Sequence, residues 1–107
     1  MEAACRGAKG AGGRTVGILP GTDRAAANPF VDTAIPTGLG EARNALVVRA
    51  ADGLIAVGGG YGTLSEIALA LKAGKPVVGL DSWDIEGVVA VDGPAAAVAA
   101  VLDESLT

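Results

Sequence analysis

The sequence predicts an α/β fold in which a parallel sheet carries helices on both faces. Short apolar runs alternate along the chain with longer segments of good helix formers. The apolar runs at residues 53–57 and 77–80 are continuous rather than alternating, which is typical of strands buried on both faces of a parallel sheet. Gly and Pro residues separate these segments. Together these observations predict a single three-layer, Rossmann-like domain over residues 1–107.

The composition excludes several functions. The 107 residues have a net charge of −4 and only 3% aromatic residues, which argues against nucleic-acid binding and against an anionic membrane surface. With no histidine and one cysteine, the sequence excludes an intrachain disulfide, the common zinc clusters and His-dependent triads. It contains no membrane-length apolar run and no signal-peptide pattern. We therefore expect a cytoplasmic protein that holds no metal and requires no cofactor.

In the first half of the chain, Gly and Pro residues set the limits of the predicted elements. Gly12-Gly13 would end a first helix, and Pro20-Gly21 and Pro36 would stop two strands. Cys5 would be a small buried hydrophobe on the apolar side of the first helix. We expect a helix over residues 1–11, a strand over 15–19, an irregular loop over 22–29, a strand over 30–35 and a helix over 41–51.

The second half predicts a strand–loop–helix unit followed by two more strands and a closing helix. Gly74-Lys75-Pro76 is typical of a helix stop, and Pro94 suits the first position of a helix. We expect strands over residues 53–57, 77–80 and 88–91, helices over 64–72 and 94–102, and a loop over 82–87 that carries Trp83. An apolar stripe would pack the helix over 64–72 on the sheet; its members are Leu64, Ile67, Ala68 and Leu71.

The stretch Gly58-Gly59-Gly60-Tyr61-Gly62-Thr63-Leu64-Ser65-Glu66 connects the central strand to its helix. A glycine loop at this position aims backbone N–H groups and the positive end of the helix dipole at one point, where a phosphate would bind. The loop is neither a Walker A motif nor a dinucleotide fingerprint, because no Gly-Lys-Ser/Thr follows and Thr63 stands where the third glycine is required. The alternative is a tight turn with no ligand.

Two charged residues near this loop have both structural and functional interpretations. Thr63-x-x-Glu66 matches a capping box, in which the two side chains satisfy N–H groups at the helix start. Alternatively, the Glu66 carboxylate could hold ribose hydroxyls while a phosphate sits on the loop. Arg43, in the first turn of a predicted helix, opposes the helix dipole. It is either a solvated surface residue or a clamp for a phosphate or carboxylate.

Residues 58–66, together with Gly-Leu-Gly-Glu-Ala-Arg-Asn at residues 38–44, resemble the LONELY GUY (SLOG) superfamily of Rossmann-fold nucleotide-binding proteins. The family signature is Pro-Gly-Gly-x-Gly-Thr-x-x-Glu, and the resemblance runs from Met1 to about Leu102. Its enzymes hydrolyse the N-glycosidic bond of cytokinin nucleoside 5′-monophosphates. The resemblance implies Glu66 and Arg43 as a catalytic pair. It implies a phosphate- or nucleotide-binding set of Gly58, Gly59, Gly60, Gly62, Thr63 and Asn44.

Departures from the hydrolase pattern shift the expectation toward binding. Gly58 stands where the hydrolases have Pro, and Asn44 where they have Lys. With Ile-Leu-Pro-Gly-Thr-Asp at residues 18–23, these changes resemble the branch close to bacterial molybdenum-cofactor carrier proteins, which bind a nucleotide-like or pterin phosphate. The family's N-terminal strand and first glycine loop are not in this sequence. We therefore expect a truncated start and a fold without the usual N-terminal strand–helix–strand portion.

Two functions follow from the resemblance. The first is binding of a small phosphorylated ligand, either a nucleoside monophosphate or the molybdenum cofactor. The second is a nucleoside 5′-monophosphate phosphoribohydrolase, so whether the chain is an enzyme stays open. The resemblance also implies a homodimer or a higher homo-oligomer.

Overall fold

A computed structural model of the chain describes residues 1–105. These residues form two compact units, the first over Met1–Arg43 and the second from Asn44 onward. Within the described residues the elements are, in order, α1 (Glu2–Gly10), β1 (Val16–Leu19), a 3₁₀ turn (Arg24–Ala26), β2 (Thr33–Pro36), a 3₁₀ turn (Gly40–Ala42), α2 (Arg43–Ala50), β3 (Leu54–Val57), α3 (Tyr61–Lys72), β4 (Val77–Leu80), β5 (Val88–Val91) and α4 (Pro94–Ser105). Helices are combined with sheets in which every strand pair is parallel, which confirms the predicted α/β class.

The first unit contains a parallel pair of strands, β1 and β2, in the register Val16↔Thr33 to Leu19↔Pro36. The predicted strand over 30–35 is wrong in its bounds, because β2 begins at Thr33 and includes Pro36. Side-chain bonds hold the preceding residues instead: Thr15 Oγ1 donates to the Phe30 carbonyl at 2.6 Å and accepts from the Asp32 N–H at 2.8 Å. These local bonds compete with a regular strand ladder.

Asp32 links β2 to α1 in the same unit. Its carboxylate accepts from the Lys9 ammonium at 2.7 Å and from the Thr15 N–H at 2.9 Å. The Lys9 hydrogen bond, followed by the bond from the Thr15 backbone, lowers the pKa of Asp32 below its ordinary value of 3.8. Cys5 is buried in α1, as predicted.

The second unit contains the parallel sheet β3-β4-β5 with β4 in the centre. Val77 and Val78 are adjacent in β4, so their side chains point to opposite faces, and both are fully buried. Val77 belongs to a core cluster with Ile67 and Ala70 of α3 and with Val48 of α2. The other face packs against α4, where Ala97 is buried. This unit therefore has the predicted three layers.

Strands β4 and β5 match their predicted bounds, but α3 does not. The helix begins at Tyr61 rather than at residue 64, and its N-cap is Gly60, which has no side chain to cap with. Thr63 thus lies inside the first turn, and the predicted capping box is wrong. The apolar stripe is wrong in one member, because Ala68 is exposed whereas Ala70 is fully buried.

Candidate functional site

The glycine loop turns sharply at the carboxyl end of β3. Gly58 and Gly59 have φ values of +56° and +114°, which side-chain-bearing residues rarely adopt. A Cβ on Gly59 would overlap the Thr63 side chain at less than 3.0 Å. Because these two residues complete the turn, the chain enters α3 directly after Gly60. Glycine is therefore required at Gly59 by conformation and by space, and it is favoured at Gly58 by conformation.

Three carbonyl groups of the loop accept hydrogen bonds from side chains. The Gly58 carbonyl accepts from Ser82 Oγ at 2.6 Å, and the Gly60 carbonyl accepts from Trp83 Nε1 at 3.1 Å. The Gly62 carbonyl accepts from Ser65 Oγ at 2.8 Å. Two of these donors follow β4, whose carboxyl end lies beside that of β3 in the parallel sheet. The bonds fix alternate peptide units of the loop.

The backbone N–H groups of the same segment are unused. Among residues 1–105, the N–H groups of Gly59, Gly60, Tyr61, Gly62 and Thr63 donate to no protein acceptor. The first helical bond of α3 is donated by Leu64 to the Gly60 carbonyl at 3.1 Å. The loop thus presents consecutive free donors at the positive end of the α3 dipole, at the carboxyl edge of a parallel sheet. Such a site favours an anion, and ligands bind α/β sheets at this edge.

Asn44 contacts the first turn of α3 on the side away from solvent. It is 8% exposed, and its Nδ2 donates to Ser65 Oγ at 3.1 Å. A second contact reaches the Gly62 carbonyl at 3.5 Å, which is long for a hydrogen bond. The structure therefore places Asn44 against Gly62, one of the predicted glycines, and against Ser65.

An aromatic pair flanks the loop. The rings of Tyr61 and Trp83 stack with their centroids 6.1 Å apart and their planes at 27°. Tyr61 is 83% exposed, whereas Trp83 packs against the core cluster. Two residues before Trp83, Asp81 has a φ of +52°, which is uncommon for a residue that carries a side chain. Strained backbone of this kind is concentrated at functional sites.

The two predicted catalytic residues, Arg43 and Glu66, belong to different units. In the first unit, Arg43 Nη1 donates to the Ile18 carbonyl at 2.7 Å, so its guanidinium is engaged at the end of β1. In the second unit, Glu66 is half-buried in the second turn of α3.

A cavity of about 270 Å³ in the second unit is lined by the two side chains that bond to the Gly58 and Gly60 carbonyls, Ser82 and Trp83, and also by Asp81 and Asp84. A cavity of about 490 Å³ in the same unit is lined by residues of α2 and α3 and of the segment after α3; three of them, Arg49, Lys72 and Lys75, are cations. No predicted site residue lines either cavity. Ser82 and Trp83 were not predicted as site residues, although their position after a strand of a parallel sheet would have been a signal.

A profile of the SLOG cluster4 family matches residues 1–104. The chain belongs to this family. It is 50% identical over 99 residues to an uncharacterized protein of Archaeoglobus fulgidus, a match that covers 92% of this chain and 65% of the relative. The chain thus spans less than two thirds of the length of that relative.

Solved structures extend the comparison. The molybdenum cofactor binding protein of the phototrophic bacterium Rippkaea orientalis is 41% identical, with a TM-score of 0.88 over 100% of this chain and 71% of that protein. The molybdenum cofactor carrier protein of Chlamydomonas reinhardtii is 40% identical, with a TM-score of 0.83 over 100% of this chain and 71% of that protein. The predicted Rossmann-like fold and the predicted branch of the superfamily are both confirmed.

Within residues 1–105, no helix combines the length and apolar character that a membrane crossing requires. The same range contains no cluster of three His, Cys, Asp or Glu side chains arranged to hold a metal ion.

Proposed function

We propose that this chain binds the molybdenum cofactor as a carrier, with the phosphate of the ligand on the free N–H groups between Gly59 and Thr63. The observation that carries the proposal is the asymmetry of the loop. The N–H groups of residues 59–63 are unpaired, whereas the carbonyls of Gly58, Gly60 and Gly62 are bonded to side chains. Similarity to two molybdenum cofactor proteins at 40% identity or more supports the choice of ligand.

The fixed carbonyls are what make this loop suitable for an anion. A glycine loop free to rotate would present carbonyl oxygens as often as N–H groups, and the oxygens would repel a phosphate. Ser82 and Trp83 hold the first two of these carbonyls, so the donors are oriented before the ligand arrives. Two or three charge-assisted bonds at about 1.5 kcal/mol each would bind free phosphate with a Kd on the order of 1 mM.

The remaining predicted site residues have supporting roles in this proposal. Asn44 would position the loop through Ser65, because its amide already donates there. Glu66 would contact hydroxyl or ring atoms of the ligand beyond the phosphate. Arg43 would hold the end of β1, the role that its bond to the Ile18 carbonyl supports.

The second candidate, hydrolysis of nucleoside 5′-monophosphates, places the same phosphate on the same loop. It differs in requiring Glu66 for chemistry, as the family motif implies. A carrier needs this carboxylate at most for affinity. The substitution Glu66→Gln therefore separates the two functions, since it keeps the size of the side chain and one acceptor oxygen but removes the charge.

The test compares the wild-type chain with Glu66→Gln and Gly59→Ala. Each is mixed with molybdenum cofactor and with a panel of nucleoside 5′-monophosphates; binding is followed by calorimetry and free base by chromatography. We expect the first two proteins to bind the cofactor with similar affinity, the third to lose it, and none to release base. Release of base by the wild type alone would establish the hydrolase instead. Cofactor binding that survives Gly59→Ala would refute the loop as the phosphate site.

A further inference from the structure

We propose that Tyr61 is the surface on which the planar ring of the ligand stacks, and that Trp83 holds Tyr61 in position for this. The inference rests on the proposed phosphate site and adds to it a basis for selectivity. A ligand that joins a phosphate to a planar heterocycle would bind better than a sugar phosphate of the same charge. The observations are the exposure of Tyr61, the anchoring of Trp83 and the place of both beside the free N–H groups.

The exposure of Tyr61 has no explanation in the core. The chain has one tyrosine, one tryptophan and one phenylalanine, and two of these three lie at the glycine loop. Tyr61 is 83% exposed, so its ring contributes little to folding by burial. A large exposed aromatic side chain is informative where it lies beside other binding features.

Trp83, in contrast, is fixed. Its indole packs against the core cluster around Val77 and Ile67, and its Nε1 donates to the Gly60 carbonyl at 3.1 Å. Its ring is therefore held by contacts to the core and to the loop at once. Because Tyr61 stacks on this ring with centroids 6.1 Å apart, Trp83 supports one face of the tyrosine. The exposure of Tyr61 leaves the other face open.

The position of Tyr61 matches a ligand with two parts. Its own backbone N–H is one of the free donors of the loop, and it is the first residue of α3. A phosphate bound to these donors would therefore contact the backbone of the same residue that carries the aromatic ring. A heterocycle on a short linker would reach the open face. Stacking of this kind depends on a π face rather than on specific hydrogen bonds, so it accepts a pterin or a purine.

The experiment uses two probes that differ in the ring alone. Guanosine 5′-monophosphate shares with pterins an aminopyrimidinone ring, and ribose 5-phosphate has the sugar and phosphate but no ring. Calorimetry measures both on the wild-type chain, on Tyr61→Ala, on the conservative Tyr61→Phe and on Trp83→Phe, which keeps a ring but loses the bond to Gly60. Circular dichroism and sedimentation check the fold and the oligomeric state of each.

We expect wild type to bind guanosine 5′-monophosphate at least tenfold more tightly than ribose 5-phosphate. The substitution Tyr61→Ala should remove this preference while leaving ribose 5-phosphate affinity within twofold. Tyr61→Phe should keep the preference. Trp83→Phe should reduce it, because the supporting ring is no longer bonded to the loop.

The outcomes separate the two proposals. Equal affinity of the wild type for both probes, or a preference that survives Tyr61→Ala, would overturn stacking and leave the phosphate site standing. A Tyr61→Ala chain that changes its oligomeric state and loses both affinities would make Tyr61 a subunit contact and would also overturn stacking. Binding of neither probe by the wild type would overturn both the phosphate site and the stacking.

Discussion

Replacing Gly59 by alanine tests the geometry of the loop. Gly59 has a φ of +114°, and a Cβ there would overlap the Cβ, Oγ1 and Cγ2 atoms of Thr63. Rotation about χ1 can move the last two atoms but not the Thr63 Cβ, so the backbone itself must shift. Backbone strain at such a φ costs about 1–3 kcal/mol and overpacking a similar amount. We expect the free energy of unfolding to fall by about 3 kcal/mol.

The assay is urea unfolding followed by the fluorescence of Trp83, the single tryptophan of the chain, which bonds to the loop. A loss of about 3 kcal/mol corresponds to a midpoint lower by roughly 1–3 M. Gly62→Ala is the matched control. Its Cβ would lie 3.7 Å from Asn44 Nδ2, an ordinary contact, within α3. It should raise stability by about 0.5–1 kcal/mol. If the free energy of unfolding of the Gly59→Ala chain lies within about 0.5 kcal/mol of the wild-type value, the loop conformation described here is wrong.

Three further predictions concern single side chains. The Lys75 ammonium donates to three carbonyls at the end of α2. The substitution Lys75→Met should therefore lower the free energy of unfolding, measured by urea titration, by about 1–2 kcal/mol. The control is Lys72→Met at an exposed position, which should lower it by less than about 0.5 kcal/mol. The lowered pKa of Asp32 stabilises the folded chain above pH 3.8 and this contribution is lost as the pH falls through the folded pKa. Asp32→Asn should therefore lower the urea midpoint at neutral pH, and its difference from wild type should vanish in acid; a difference independent of pH would contradict this. Ser82→Ala removes the hydrogen bond to the Gly58 carbonyl and should weaken phosphate binding, measured by calorimetry, about fivefold. An unchanged affinity would show that this hydrogen bond does not contribute to phosphate binding.

The strands of the second unit could be predicted from local sequence. Residues 77–80 and 88–91 are continuous apolar runs, rich in valine and bounded by Gly, Pro or polar residues, so periodicity and stop signals agree. The position of the glycine loop followed from the same signals. Its place between a strand and a helix depends only on residues that are close to it in the sequence.

The start of α3 and the anchoring of the loop could not be predicted in this way. Tyr-Gly-Thr is a weak helix-forming sequence, and only the positive φ values of Gly58 and Gly59 let the helix begin at Tyr61. The donors that fix the loop carbonyls, Ser82 and Trp83, are more than 20 residues away in the chain. Their contact depends on the pairing of β3 with β4, which no local pattern encodes.

The most direct test of the central claim is a titration of the ¹⁵N-labelled chain with inorganic phosphate, followed residue by residue through the backbone amide resonances. The phosphate site predicts that the amide protons of residues 59–63 move downfield together and saturate at a concentration on the order of 1 mM. The cationic cavity lined by Arg49, Lys72 and Lys75 is the competing location. Shifts confined to the residues around that cavity, with residues 59–63 unmoved, would contradict the phosphate site on the glycine loop.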